Sequence, residues 1–170
     1  MKKYSPVFLM VPLFFCVTVL CITVSCTTMG NAQYLPVLAD AGEWALAEIV
    51  TEGGTTVIDR DRLGAFEDAF TLRVTKTDEP GTYIFSGKAA PNRFNMPVKV
   101  GEDGGLTVSP PAATLMATFL EPDVLTERAY LQYLENSSLI QMSGDWLVLE
   151  TADESGLPAA LYFAPSAAKE

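Results

Sequence analysis

The chain has 170 residues, 11 basic and 21 acidic, with no histidine and three cysteines. A net charge of −10, which becomes two units more negative without the N-terminal lysines, leaves no basic reserve for nucleic acid or anionic membrane surfaces. The absence of histidine removes the usual zinc ligand, triad base and near-neutral proton shuttle.

In chain order, Met1-Lys2-Lys3 is a short basic segment, and Val7 to Val24 is almost continuously apolar and uncharged. This is the layout of a secretory signal. The small residue Ser25 then precedes Cys26, as lipoprotein processing requires, and Cys26 resembles the first residue of a mature lipoprotein. Cys16 and Cys21 follow the bulky Phe15 and Leu20 and fit that role less well. The apolar run is also just long enough to be an uncleaved membrane helix. All three cysteines fall within or at the end of this leader, so the mature chain has no disulfide framework.

The expected organisation is a lipoprotein signal peptide (1–25), a lipidated flexible tether (26–40), one domain (41–165) and a tail (166–170). The mature part, roughly 145 residues, is the size of a single domain. Thr27 to about Asp40, with Gly30, Asn31 and Pro36, reads as the tether.

Eight short strands are predicted: Trp44–Val50, Phe70–Val74, Thr82–Ser86, Met96–Val100, Leu106–Val108, Leu139–Met142, Trp146–Thr151 and Ala160–Phe163. Glycine-rich and short polar segments separate them, among them Gly53-Gly54, Glu79-Pro80-Gly81 and Ser143-Gly144-Asp145. Such spacing favours antiparallel hairpins. Phe70/Leu72/Val74 and Met96/Val98/Val100 alternate as strands with one buried face do. Between the first two strands, Asp59-Arg60-Asp61-Arg62 reads as a solvated charge cluster before Leu63 to Ala69, a short helix or inserted loop. Asp59 and Asp61 lack the further ligands and glycine of a calcium loop, so no metal site is assigned.

One helix is predicted over Pro122 to about Glu135. Arg128, Gln132 and Glu135 form a narrow polar stripe, and the wide apolar remainder calls for burial against a sheet. Glu127 lies inside that apolar arc and needs a hydrogen-bond partner there. The two tryptophans, Trp44 and Trp146, read as core residues rather than binding platforms.

The succession of landmarks resembles a known family. Trp44-Ala45-Leu46 is followed by Tyr83-Ile84-Phe85-Ser86-Gly87, Asn92-Arg93-Phe94 and Thr114-Leu115-Met116-Ala117. The helix with Glu127, Tyr130, Leu131 and Leu134 comes next, then Gly144-Asp145-Trp146-Leu147-Val148-Leu149 and a last strand ending Leu161-Tyr162-Phe163. In this order and spacing they resemble the META domain family, HslJ-like heat-shock and envelope lipoproteins. The resemblance implies an α+β fold: a strongly curved, partly barrel-like antiparallel sheet of about eight short strands with one packed helix. The family's two characteristic cysteines are replaced, by Pro91 in Ala90-Pro91-Asn92 and by Thr118 in Met116-Ala117-Thr118, so no redox or disulfide role carries over.

Asparagine in a Pro-Asn-Arg-Phe loop most often caps or turns the backbone, with Phe94 plugging the core. The alternative is a ligand or partner surface formed by Asn92, Arg93 and the loop before Thr114. No catalytic residue and no cofactor is assigned. The expected function is that of a non-enzymatic, membrane-anchored lipoprotein at the periplasmic face of the outer membrane, in envelope integrity, stress tolerance or host-facing interaction. Its partners would be the membrane, through the lipid, and an envelope protein or small ligand. Two other readings are a small barrel carrying a hydrophobic ligand and an inhibitor of a hydrolase such as lysozyme, which the acidic charge would suit.

Overall fold

In the computed structural model, residues 30–114 and 121–166 are described. Residues 1–29, which include the expected leader and Cys26, together with Leu115 to Leu120 and residues 167–170, lie outside them. Among the described residues no helix is long and apolar enough to cross a membrane.

The elements follow the turn chemistry. They are α1 (Asn31–Leu38), β1 (Glu43–Thr51), β2 (Gly54–Val57), β3 (Thr71–Lys76), β4 (Thr82–Lys88), β5 (Arg93–Val100), β6 (Leu106–Val108) and β7 (Ala112–Ala113), then α2 (Glu127–Glu135), β8 (Leu139–Ser143), β9 (Trp146–Ala152) and β10 (Pro158–Pro165). All pairings are antiparallel, and the strands form one sheet in the order β6-β5-β4-β3-β1-β10-β9-β8, with β2 on β1 and β7 on β5. The sheet curls into a nearly closed barrel, and α2 packs one face against its core. Every predicted strand is present, and β2 and β7 are added. The four residues of β2 are all exposed, so Gly54-Thr55-Thr56-Val57 carries no apolar alternation from which a strand could be read.

One face of each long strand fills the interior. Alternate burial along β5 puts Phe94, Met96 and Val98 inside and leaves Arg93, Asn95 and Lys99 in solvent. Phe70, Phe85, Phe94, Phe163, Leu46 and Leu72 are at most 1% exposed. From α2, Tyr130 meets Phe70 and Phe94 edge-on, with centroids 5.3 and 6.0 Å away. Its hydroxyl donates to the Thr71 carbonyl at 2.9 Å, and burial pushes its pKa well above the ordinary phenol value. Gly87 is required at its position in β4, since a Cβ there would stand 2.1 Å from the Thr71 carbonyl oxygen.

The helix α2 begins five residues later than predicted. Pro122 and Asp123 lie in a turn, and the cap is Thr126, whose hydroxyl accepts from the Ala129 N–H at 3.2 Å. The predicted faces hold: Tyr130, Leu131 and Leu134 are buried, and Arg128 and Glu135 are exposed.

Three expectations are corrected. The tether does not extend to residue 40. Asn31–Leu38 is a helix with Leu35 and Leu38 buried, packed on β8 and β3, because those leucines have apolar surface to cover. Trp146 is 38% exposed at the β8–β9 turn, whereas Trp44 is core at 5%. In the predicted solvated cluster, Arg60 turns inward. Its guanidinium donates to the carbonyls of Leu46 (2.8 Å), Glu67 (3.1 Å), Phe70 (3.4 Å) and Ala69. Burial lowers its pKa from the ordinary arginine value.

Candidate functional site

The loop from β4 to β5 brings Asn92 beneath the first turn of α2. The Ala90–Pro91 peptide is cis, and the Ala89 N–H donates to the Asn92 carbonyl at 2.8 Å, closing the loop. The Asn92 side chain is buried, at 7% exposure.

Its amide nitrogen donates to both carboxylate oxygens of Glu127, at 3.0 and 2.9 Å, and its backbone N–H donates to Oε2 at 3.3 Å. The amide oxygen accepts from the Thr114 hydroxyl at 3.1 Å, and that hydroxyl in turn accepts from the Arg93 N–H at 3.1 Å. Glu127 is the first residue of α2, where a negative charge also faces the positive end of the helix dipole. The partner that Glu127 needs is therefore Asn92, which ties together the β4–β5 loop, the strand end after β7 and the helix.

The two residues singled out as a surface thus separate. Asn92 is a buried clasp, and its remaining 7% exposure lies among the residues that line the cleft beside α2. Arg93 is exposed and lines a cleft on the outer side of the sheet, with Arg73, Lys88 and Thr71. A second, open cleft of about 660 Å³ runs beside α2, with Pro91, Asn92, Glu121, Glu127, Arg128 and Glu135 in its lining. Both clefts lie outside the sheet, whose interior is occupied by the aromatic and leucine side chains described above.

Arg60 and Asn31 are functional to the fold and were not singled out by the sequence. Asn31, 2% exposed, donates to the carbonyls of Gly104 (2.6 Å) and Ser138 (3.1 Å) and accepts from the Ile140 N–H (2.6 Å). Gly104 belongs to the β5–β6 turn and Ile140 to β8, so one side chain bridges the two free edges of the sheet. Arg60 performs a related task at the β1–β3 junction. There Phe70 takes a left-handed backbone conformation at φ +56°, and its turned carbonyl accepts from both Leu46 N–H and Arg60.

Among comparisons with known proteins, the family model of the META domain matches residues 37–160. No curated protein matches the chain. A solved structure, described as the NMR structure of the protein from Burkholderia xenovorans, shares the fold at 19% identity and a TM-score of 0.51, covering 98% of this chain and 99% of its own. With the match extending over most of the described sheet and α2, this chain belongs to the META domain family.

Proposed function

We propose that this protein is an HslJ-like lipoprotein, held by an acylated Cys26 at the periplasmic face of the outer membrane, whose META domain is non-enzymatic and serves envelope integrity, stress tolerance or host-facing interaction. The leader supports the anchor through its uncharged apolar run and Ser25-Cys26. The observation that carries the non-enzymatic reading is that the inward hydrogen-bonding side chains serve the fold itself, the Trp44 indole N–H alone being buried without a partner among the described residues. Asn92 and Glu127 pair, Arg60 caps carbonyls, and Asn31 joins the sheet edges. Arg60 and Asn31 are taken up by backbone groups, and Glu127, although it lines the open cleft beside α2, has both carboxylate oxygens engaged by Asn92, which disfavours proton transfer. A filled interior also argues against the alternative of a barrel carrying a hydrophobic ligand, which needs an enclosed chamber of roughly 300 Å³ or more.

The test is fractionation of cells expressing the full chain and Cys26→Ser. The wild type is expected in the membrane fraction, released only by detergent, and labelled by radioactive palmitate. Cys26→Ser should lose the label. An equally labelled variant would refute lipidation at Cys26. Added lysozyme should lyse cells equally well with and without excess protein, and protection would favour the inhibitor reading instead.

A further inference from the structure

We propose that the outer face of β3, β4 and β5 binds a small, multiply charged oxyanion, a polycarboxylate or a phosphate ester, between Arg73, Lys88 and Arg93. Acidic residues outnumber basic ones 21 to 11 in this chain, yet in one cleft of about 780 Å³ the balance is reversed, with Arg60, Arg73, Lys88 and Arg93 against Glu43, Glu67 and Asp68.

The sheet register gathers three of them. Lys88 on β4 is directly opposite Arg93 on β5. Arg73 on β3 is opposite Ser86, two residues from Lys88 and on the same face. Like charges placed directly opposite destabilise a sheet, so this arrangement needs a reason outside the fold. Local carboxylates answer it only in part. Asp68 pairs with Lys88. Glu43, although opposite Arg73 in register, accepts from the Thr71 hydroxyl at 3.3 Å. Among the described residues, neither Arg73 nor Arg93 lies within ion-pair distance of a carboxylate.

The remaining two guanidinium groups stand on exposed positions of strands two apart, close enough for long side chains to converge on one ligand. Planar guanidinium forks favour bidentate oxygen pairs over a spherical ion such as chloride. Arg60 lies deeper in the same cleft. Its hydrogen bonds are taken by backbone carbonyls, and its charge adds to the field without adding a contact.

Calorimetric titration of the full chain in neutral detergent tests this, with citrate and inorganic pyrophosphate as probes and sodium chloride holding ionic strength constant. Saturable binding of at least one probe is expected. Tighter binding of citrate would identify a carboxylate ligand, and of pyrophosphate a phosphate. Arg73→Gln/Arg93→Gln should weaken binding about tenfold without lowering the melting temperature, since it relieves the like-charge pair. Each single variant should weaken it by a smaller factor, and Arg128→Gln, outside the cleft, should leave it unchanged. Heats no larger than those from sodium chloride, or an unaltered affinity in the double variant, would overturn the proposal.

Discussion

Asn92 and Glu127 are 35 residues apart in the chain, and a single amide nitrogen of the first reaches both carboxylate oxygens of the second at 3.0 and 2.9 Å. The contact fixes where α2 enters the barrel, and with it where Tyr130 meets the core.

Removing that amide leaves a half-buried carboxylate short of donors. Asn92→Ala is expected to destabilise the domain by about 2–4 kcal/mol, since hydrogen bonds to a charged group carry more than neutral ones. Asn92→Asp should be worse, because it sets two carboxylates against each other. Adding Glu127→Gln to it should restore part of the loss. A urea-melt cycle over the wild type, Asn92→Asp, Glu127→Gln and the double variant measures the coupling, expected at about 1–2 kcal/mol for groups in contact.

Asn31 makes a different prediction, about the edges rather than the helix. Asn31→Ala should cost about 2–3 kcal/mol through three lost hydrogen bonds at a buried position. Amide hydrogen exchange should accelerate first in β8 and the β5–β6 turn, where the bridging side chain ends. Uniform acceleration across the sheet would argue against a local bridge.

Arg60→Met should cost about 2–4 kcal/mol, as carbonyls turned toward the guanidinium lose their donors. Arg60→Lys should recover little of this, because one ammonium cannot span acceptors on both sides of the β1–β3 junction. Thermal denaturation of the two variants distinguishes a fork from a mere charge.

Alkaline pH addresses Tyr130. Its folded pKa is raised, so the unfolded chain gives up the phenol proton first, near pH 10. The contribution is full below that value, and stability falls as pH climbs from about 10 toward the folded pKa. Tyr130→Phe should lose about 1 kcal/mol at neutral pH, from the bond to Thr71, and should show a shallower decline above pH 10. Chemical denaturation at pH 8 and pH 11 checks both.

Much of the fold was legible in the sequence, for identifiable reasons. Strands such as β3 and β5 sort apolar and polar residues onto opposite faces, and the turns between them carry glycine and aspartate. Glu127 could be flagged as needing a partner from helical geometry alone, although the identity of that partner could not. What stayed hidden depends on contacts with no local trace. Asn31 reads as part of a linker because its partners lie 73, 107 and 109 residues away. Arg60 sits in an alternating charge run, and the carbonyls it serves leave no mark on side-chain pattern. Gly87 is fixed by the approach of the Thr71 carbonyl from the neighbouring strand, which no spacing reveals. At the candidate site, Asn92 and Arg93 are adjacent in sequence but lie on opposite faces of the strand entry, one buried and one exposed.

The lipid at Cys26 is the central proposal for this protein, and mass spectrometry of the full-length protein isolated from membranes tests it directly. An N-terminal peptide beginning at Cys26 and carrying diacylglycerol and acyl chains is predicted, without any peptide containing Cys16 or Cys21. A mature protein retaining Met1, or starting at an unmodified residue, would contradict it.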